Sequence, residues 1–304
     1  MKNLTLLLLI FVAATAQVRF KDTPGKMEIT VDGKPFSNLY YGPEHNNPLL
    51  HPLRSVSGTV VTRGYPIDTV AGEHTDHIWH HGLWYAHGDV NGTDFWRDLG
   101  PEKTGRMIVT GKPRTGKDWI TVETEMVTVT KQVIGVTTET FHFARAGNLN
   151  IVDATITIRA NRGQALKMGD TEEGSFGVRL AEEFRAEHGV AMTNSGGVTG
   201  KEIWGKRAKW VDYSTQIQSE KLGVLLLDHP SNPKHPTYWH ARPYSLCSAN
   251  PFGEHDFEKD KTRDGSVTIP AGDKLTFRYR VIIHPGDLKT LDPEKLFRDF
   301  AAAR

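Results

Sequence analysis

The sequence predicts an all-β fold, a large antiparallel β-sandwich with a short C-terminal helix. Apolar and polar side chains alternate along residues 274–284, which is the pattern of a strand with one buried face. Several other segments are rich in Val, Ile and Thr, and clusters of Gly, Pro, Asn or Asp separate many of them. Strong helix signals occur at one place, near the C-terminus. Two large packed sheets account best for this distribution.

The predicted strands extend along most of the chain. In residues 274–284, Leu275, Phe277 and Tyr279 lie on one face, and polar residues lie on the other. Asp32-Gly33 is a hairpin signal, and residues 145–148 form a turn between two strand-like runs. The other strand-like runs are residues 27–31, 106–110, 119–130, 133–143, 151–159 and 222–227.

The predicted helix begins after Asp292. An Asp at the N-cap accepts hydrogen bonds from the first free N–H groups, and Pro293 at the first helical position has a backbone angle that suits a helix. Glu294 lies in the first turn, and Leu296, Phe297 and Phe300 follow at helical spacing. We therefore expect an amphipathic helix that packs against a sheet.

The composition limits the class of protein. The 304 residues carry 37 basic and 36 acidic side chains, so the net charge of +1 provides no field that would hold a nucleic acid. The single cysteine, Cys247, excludes an intrachain disulfide and any CxxC motif. No repeat or linker interrupts residues 17–304, which predicts one β-sandwich domain, with a two-sandwich arrangement as the alternative.

The first 16 residues have the pattern of a signal peptide. Lys2 precedes an apolar run over residues 4–14, and Ala14-Thr15-Ala16 is an A-x-A cleavage pattern. The apolar run is too short to span a bilayer, which disfavours the alternative of an N-terminal anchor. The sequence predicts cleavage after Ala16 and a secreted or periplasmic protein with no membrane partner after the leader is removed.

Histidine and tryptophan are concentrated between residues 73 and 96. This segment contains five of the fourteen histidines and three of the seven tryptophans. Glycines at positions 82, 88 and 92 disfavour a helix or a long strand, so we expect a substrate-lining loop followed by a strand end. The predicted substrate-binding residues here are Asp76, Trp79, His81, Trp84, Asp89, Asn91 and Trp96.

Three interpretations of this segment remain open. Aromatic faces stack on sugar rings while Asn, Asp and His bind hydroxyls, which favours a carbohydrate site. His77, His80 and His81 are also possible metal ligands, although their spacing matches no specific metal motif. Alternatively, these histidines are hydrogen-bonded core or loop residues. For a single histidine this last interpretation is the default, but it does not explain the whole cluster.

Two later segments have the same mixture of glycine, charge and aromatic residues. Residues 170–179 contain Glu172, Glu173 and Arg179, and Arg179 is a predicted substrate-binding residue. In a regular strand the two glutamates would point to opposite faces. We select Glu173 because it precedes Gly174. Residues 235–253 add three polar side chains beside further aromatic residues. These predicted substrate-binding residues are His240, Arg242 and Asn250.

The order of these motifs resembles a known family. The motifs are HPLRSVSGTVVTRGYP, DHIWHHGLWYAHGDVNGTDFW, EEGSFGVRLAE, GKRAKWVDYS and HPSNPKHPTYWHARPYSLCSANPFG, and together they cover most of the chain. They resemble the uncharacterised secreted bacterial proteins known as the PmoA family, or methane oxygenase PmoA. The resemblance implies a β-supersandwich similar to galactose mutarotases and, by analogy, sugar metabolism. Where mutarotases use a His acid and a Glu base, the matching residues are His80 or His81 and Glu173.

These observations predict a secreted carbohydrate-active protein that carries out acid/base chemistry, by hydrolysis, elimination or epimerisation. The catalytic candidates are His77, His80 and Glu173, because His exchanges protons near neutral pH and a buried Glu can donate one. No cofactor is predicted. The alternatives are a non-catalytic carbohydrate-binding protein and a metal-dependent oxygenase that uses His77 and His80. We further expect residues 74–96, 170–179 and 235–255 to meet at one cleft, with His80 and Glu173 facing it.

Overall fold

A computed structural model describes residues 16–303 of the chain, so the predicted signal peptide lies outside the described residues except for Ala16. The described residues form nineteen strands and two α-helices. The helices are α1 (Glu254–Phe257) and α2 (Pro293–Ala302), and short 3-10 helices cover Glu182–Phe184, Ala186–His188, Gly200–Ile203 and Leu288–Thr290. The strands are β1 (Val18–Thr23), β2 (Lys26–Val31), β3 (Lys34–Tyr40), β4 (Leu49–Leu50), β5 (Leu83–His87), β6 (Arg106–Val109), β7 (Arg114–Thr115), β8 (Trp119–Val127), β9 (Val133–Ala146), β10 (Leu149–Ala160), β11 (Leu166–Met168), β12 (Gly174–Arg179), β13 (Ala191–Asn194), β14 (Trp210–Ile217), β15 (Glu220–Asp228), β16 (Tyr238–Ala241), β17 (Leu246–Asn250), β18 (Val267–Ile269) and β19 (Lys274–Pro285).

Two large antiparallel sheets contain most of these strands. The eight-stranded sheet has the order β1-β2-β3-β4-β5-β12-β17-β16. The nine-stranded sheet has the order β13-β14-β15-β19-β10-β9-β8-β6, and β7 pairs with β8. β11 and β18 form a separate two-stranded sheet. Several neighbouring strands in the larger sheets are far apart in sequence, for example β5 and β12, and β10 and β19. The chain therefore crosses repeatedly from one sheet to the other.

The two large sheets pack face to face around an aromatic core. Phe176 of β12 stacks on Tyr279 of β19 with ring centroids 4.7 Å apart, and Phe36 of β3 contacts Phe143 of β9 at 5.9 Å. The residues predicted to alternate along β19 do so, and Phe277 and Tyr279 point into this core. The predicted all-β sandwich with a short C-terminal helix is confirmed.

Local signals also placed the turns and the C-terminal helix correctly. Asp32 and Gly33 both have positive φ in the β2–β3 hairpin, and Gly147 has positive φ in the β9–β10 hairpin. The Asp292 side chain accepts a hydrogen bond from the Lys295 backbone N–H over 2.8 Å, as expected for an N-cap.

Helix α2 covers part of the outer face of the nine-stranded sheet. Its buried side chains Phe297 and Phe300 form a second apolar cluster with Trp210, Leu225 and Ile282 of that sheet. This contact explains why Ile282, on the face of β19 opposite the central core, is also buried. Within residues 16–303, no helix is both long enough and apolar enough to cross a membrane.

The outer face of the eight-stranded sheet carries a continuous row of residues across six strands. Directly paired residues on neighbouring strands have their side chains on the same face. Because Phe176 points into the core, its neighbour Gly177 and the rest of this row point outward. The row consists of Tyr40, Leu49, Trp84, Gly177, Ser248 and His240, in the order β3, β4, β5, β12, β17 and β16.

Candidate functional site

The candidate site begins at the centre of this row, at Gly177. A Cβ atom at this position would lie 3.1 Å from the ring of Trp96 and 3.3 Å from the ring of Trp84. The absence of a side chain therefore allows both indoles to lie across the sheet. Their centroids are 4.9 Å apart, and both rings contact His80, each with a centroid separation of 5.7 Å.

A buried arginine holds the histidine-rich loop over this face. The Arg63 guanidinium donates hydrogen bonds to the backbone carbonyls of Asp76, His77 and His80 over 2.8, 3.0 and 2.7 Å. It also donates to the Asp76 side chain over 2.6 Å. Since a guanidinium presents five N–H donors in a fixed plane, one side chain sets the path of the whole loop.

Arg179 of β12 connects the loop to the sheet. Its Nη2 donates to Asp76 Oδ1 over 2.7 Å, its Nη1 lies 3.1 Å from His80 Nδ1, and its guanidinium lies over the Tyr244 ring at 4.9 Å. Although burial opposes the shift, the charges of Arg179 and Arg63 lower the pKa of Asp76. Asp76 is therefore ionised and compensates two buried positive charges.

The contact with Arg179 determines the protonation state of His80. A guanidinium only donates, so His80 Nδ1 must accept, and the proton of the neutral ring must lie on Nε2. Burial, together with the charge of Arg179, lowers the pKa of His80 well below its ordinary value. His80 is thus a neutral ring whose Nε2–H has no partner among the described residues.

Unpaired N–H groups cluster around His80. The indole Nε1–H groups of Trp79, Trp84 and Trp96 are buried and also have no acceptor in the described part of the chain. An unsatisfied buried donor costs about 1–3 kcal/mol, and such groups are rare in folded proteins. These four groups belong to His80 and to three indoles that each contact its ring, so four unsatisfied donors lie on one cluster of rings.

His77 differs from His80 in being accessible. Its side chain is 37% exposed, and its Nδ1 lies 3.4 Å from Asp76 Oδ2. Its ring is nearly parallel to those of His80 and Tyr244, with centroids 4.8 and 5.4 Å away. The backbone of His77 has a φ of 44°, a conformation that non-glycine residues adopt mainly where the surroundings enforce it. Burial lowers the pKa of His77, and Asp76 opposes this shift.

Glu173 is held at the end of β12 by an arginine. Arg97 donates from Nη2 to Glu173 Oε1 over 2.8 Å and from Nη1 to Asp94 Oδ2 over 2.9 Å. Burial raises the pKa of Glu173 although Arg97 opposes the shift, and the charges of Glu172 and Asp94 raise it further. A fraction of Glu173 is therefore protonated at a higher pH than is usual for a glutamate.

Glu172 forms a second group with residues of β16. Its Oε2 accepts from Arg242 Nη2 over 2.7 Å and from the Trp204 indole over 3.1 Å. Arg242 Nε donates to His240 Nε2 over 2.7 Å, so the proton of the His240 ring lies on Nδ1, which donates to the Glu172 carbonyl over 2.7 Å. Burial and the charge of Arg242 lower the pKa of His240 to about 3.

Tyr244 lies between these groups. Burial raises the pKa of its hydroxyl to about 12, Arg242 and Arg179 lower it, and Glu173 and Glu172 raise it, so all four charges act on one phenol. Tyr244 also stacks on His77. The three sequence segments predicted to meet therefore contact one another on the outer face of β5, β12, β17 and β16, and their forming one substrate cleft stays a prediction.

The structure brings most predicted site residues to this place. Asp76, His77, Trp79, His80, Trp84 and Trp96 come from the first segment, Glu173 and Arg179 from the second, and His240 and Arg242 from the third. His81 is buried, contacts the Trp84 ring with a centroid separation of 5.4 Å, and lines a neighbouring cavity. The pairing of His80 and Glu173 as an acid and a base stays a prediction.

Three predicted substrate-binding residues have structural roles. Asp89 Oδ1 accepts from the Gly92 backbone over 2.8 Å within a turn. The Asn91 amide bonds to the backbone of Ala165 and Lys167 over 3.2 and 2.7 Å. Asn250 is fully buried and bonds to the backbone of residues 171 and 252. These contacts give the three residues structural roles, and substrate binding by them stays a prediction.

Glu172 and Glu173 do not lie in a regular strand, so the condition for their side chains to alternate between two faces is not met. β12 begins at Gly174, and both glutamates precede it in an irregular segment. Each carboxylate is free to meet its own arginine, Arg242 for Glu172 and Arg97 for Glu173.

Metal ligation by His77 and His80 is disfavoured by their surroundings. Arg179 occupies Nδ1 of His80, and two buried arginines lie within the same network. Within residues 16–303, the one group of three side chains with metal-ligand spacing is His74, Glu182 and Glu187, which includes no predicted ligand. Arg185 Nε binds Glu187 over 2.6 Å and lies 3.4 Å from Glu182, so a cation already occupies that group.

Four residues that contribute to the site were missing from the predicted set, namely Arg63, Arg97, Glu172 and Tyr244. Arg63 lies between Thr62 and Gly64, and Arg97 lies beside Asp98. Neither setting distinguishes these arginines from solvated surface arginines. Tyr244 lies two residues after Arg242, within a segment that the sequence did single out. Proximity to a selected residue was therefore the only available signal for Tyr244.

Comparisons with known proteins give a family but no activity. Residues 26–298 match the model of a family of unknown function, DUF6807. This description does not carry the PmoA name, so that name stays a prediction. No protein of curated function matches the chain.

Several solved structures are similar in fold. A galactose mutarotase-like protein from Lactobacillus casei is 8% identical, with 88% of this chain and 100% of that chain covered and a TM-score of 0.42. The GalM/aldose epimerase homologue from C. elegans is 9% identical, with 90% and 99% covered and a TM-score of 0.33. The GH36 α-galactosidase AgaA from Geobacillus stearothermophilus is 10% identical, with a TM-score of 0.40; the match covers 89% of this chain and 41% of that enzyme.

Proposed function

This chain belongs to DUF6807, a family of unknown function, and we propose that it is a carbohydrate-active protein that carries out acid/base chemistry at the site on the outer face of its eight-stranded sheet. The observation that supports this most is the convergence of aromatic rings with two differently tuned proton carriers, His77 and Glu173, around Tyr244. Aromatic faces bind the apolar faces of sugar rings, and proton transfer requires one group that donates a proton and one that accepts it.

His77 and Glu173 are the proposed proton-transfer residues. The pKa of His77 is lowered by burial, so at neutral pH its ring is uncharged and can accept a proton. The pKa of Glu173 is raised by burial, so its carboxyl can donate one. Both side chains are partly accessible, with exposed fractions of 37% and 20%. Such a pair serves hydrolysis, elimination or epimerisation, depending on which substrate atom lies between them.

His80 has a different proposed role. Its buried ring accepts from Arg179, which leaves Nε2–H as a donor in the group of unpaired indole N–H groups. We assign these donors to an acceptor oxygen of the substrate, where they stabilise negative charge that develops during proton transfer. Arg179 is fully buried and positions Asp76 and His80, whereas Arg242, which is 29% exposed, is the arginine that can reach a substrate.

The test is a search for turnover followed by paired substitutions. Wild-type protein is incubated with α- and β-linked glucosides, galactosides, mannosides and glucuronides. Reducing ends report hydrolysis, absorbance of unsaturated uronates reports elimination, and NMR reports epimerisation. For the substrate found, His77→Asn and Glu173→Gln are each expected to lower kcat about 10²- to 10⁴-fold, the usual contribution of general acid–base catalysis.

Glu125→Gln is the matched control. Glu125 lies on β8, on the face of the nine-stranded sheet that points away from the core, and its substitution is expected to leave kcat unchanged. Full activity of both His77→Asn and Glu173→Gln would overturn the assignment. Sugar binding by the wild type without any turnover would leave the non-catalytic binding protein as the remaining alternative.

A further inference from the structure

A cavity lies on the same face of the eight-stranded sheet as the candidate site. It has a volume of about 430 Å³, within the range of small-molecule sites. Its lining includes Tyr40, Glu44, Ile78, His81 and Asp98. None of these residues takes part in the hydrogen-bond network of Arg63, Arg179 and Glu173 described above.

Strand register places this cavity in line with the candidate site. Tyr40 belongs to the same cross-strand row as Trp84 and Gly177, three strand spacings from Gly177. At about 4.8 Å per spacing this is about 14 Å, a span longer than one pyranose ring. Trp84 lies between Tyr40 and Gly177 in this row, and its ring contacts both His80 of the candidate site and His81 of the cavity.

The chemistry of the cavity is complementary to that of the candidate site. Burial lowers the pKa of His81 to about 3 and also lowers that of His45, so both rings are neutral at pH 7. Glu44 and Asp98 are then the charged groups among its described lining residues. The candidate site presents arginines and unpaired N–H donors, whereas this cavity presents carboxylate acceptors that suit hydroxyl groups.

The cavity also offers an apolar platform. Ile78 lines it with 43% of its surface exposed, an unusual position for a large apolar side chain, and the Tyr40 ring lines it from β3. Apolar and aromatic faces beside carboxylates form the combination that binds an uncharged, hydroxyl-rich ring. An anionic sugar would be repelled by Glu44 and Asp98.

We propose that the cavity between Tyr40 and His81 binds a second, uncharged sugar unit of the substrate that occupies the candidate site. This inference rests on the proposed carbohydrate function. It means that the natural substrate has at least two units, one at the donors around His80 and a neutral one at Tyr40 and Ile78. A single sugar unit would then occupy the candidate site or the cavity, but not both.

The test compares affinities for one and two sugar units. The probes are the methyl glycosides of glucose, galactose, mannose and glucuronic acid and the disaccharides that extend each by one neutral hexose, measured by titration calorimetry. Wild type is expected to bind the best disaccharide about tenfold or more tightly than the corresponding methyl glycoside. Tyr40→Ala and Ile78→Ala are each expected to remove most of this gain and to leave affinity for the methyl glycoside unchanged.

Ile108→Ala is the matched control, because Ile108 is also 43% exposed but lies on β6 of the other sheet. It is expected to bind both probes like the wild type. If methyl glycosides bind and Glu173→Gln affects them, but disaccharides bind no more tightly, the second sugar unit is excluded while the proposed function stands. If no sugar in the panel binds to wild type, both proposals are overturned.

Discussion

Arginine contacts define the state of two buried histidines in this protein. Arg179 donates to His80 Nδ1 and Arg242 donates to His240 Nε2, so each ring is neutral and carries its proton on the opposite nitrogen. The two rings differ in what that proton meets. The His240 proton is bonded to a backbone carbonyl, whereas the His80 proton has no partner in the described chain. The His240 ring is therefore fully paired, whereas the buried His80 ring keeps one unsatisfied donor.

The tautomer of His80 can be measured directly. In ¹⁵N-histidine NMR spectra, His80 is expected to show a protonated Nε2 and an unprotonated Nδ1, unchanged between pH 5 and 8, because burial and Arg179 lower the pKa of His80 well below its ordinary value. His80→Asn identifies the signal. Titration of His80 in the middle of this range would contradict the assigned hydrogen bond from Arg179.

Strand β12 is the element on which the site depends most. It begins immediately after Glu172 and Glu173, carries Gly177 at its centre and ends at Arg179. Its neighbours β5 and β17 contribute Trp84 and Ser248 beside Gly177. Because successive residues of a strand point to opposite faces, the same strand places Phe176 and Val178 in the core and the site residues outside.

Substitution of Gly177 tests this arrangement. Gly177→Ala would place a methyl group 3.1–3.3 Å from the rings of Trp96 and Trp84. We expect a loss of stability of about 1–3 kcal/mol from overpacking and a change in tryptophan fluorescence. Gly163→Ala is the control, because a Cβ there meets no atom within 4 Å. Equal urea midpoints for the two variants would show that the indoles are not packed against Gly177.

At the level of the whole molecule, the two outer faces of the sandwich are covered differently. Helix α2 seals part of the nine-stranded sheet with Phe297 and Phe300, whereas irregular loops carrying Arg63, His77 and Arg97 cover the eight-stranded sheet. Loops leave polar side chains and cavities at the surface of a rigid sheet, which is where binding sites commonly form. The asymmetry explains why the candidate site and the adjoining cavity lie on the same side.

A buried carboxyl group in the core between the sheets links stability to pH. Glu139 of β9 is fully buried, and burial raises its pKa to about 8. In the unfolded chain the pKa of a glutamate is about 4.3. At a pH between the unfolded and the folded pKa, Glu139 is therefore ionised in the unfolded chain and protonated in the folded protein. This group therefore stabilises the fold fully below pH 4, and its contribution is lost as the pH rises towards 8.

Glu139→Gln removes this dependence. The variant is expected to be more stable than the wild type by about 3 kcal/mol at pH 7 and equally stable at pH 4, as measured by urea unfolding. Glu125→Gln, on the outer face of the same sheet, is expected to show no such change. A stability difference for Glu139→Gln that is the same at pH 4 and pH 8 would contradict a protonated, buried Glu139.

Patterns within single segments predicted the architecture. Alternation along β19, the Asp32-Gly33 turn and the Asp292-Pro293 helix start each depend on residues a few positions apart, and each is found in the structure. The composition of three segments likewise indicated which parts of the chain meet in a site. Composition has a limit at Asp89, Asn91 and Asn250, because a polar side chain that satisfies a nearby backbone group is the same residue type as one that binds a ligand.

Short-range patterns in the sequence thus predicted an all-β sandwich, its C-terminal helix and the three segments that form the candidate site. These features depend on periodicity and on neighbouring residues. Contacts between distant positions determined the rest. Arg63 meets His80, Arg97 meets Glu173, and Tyr40 falls in line with Trp84 only after the sheets have formed. Protonation states, free donors and cavities depend on burial and on such long-range partners, which no local pattern encodes.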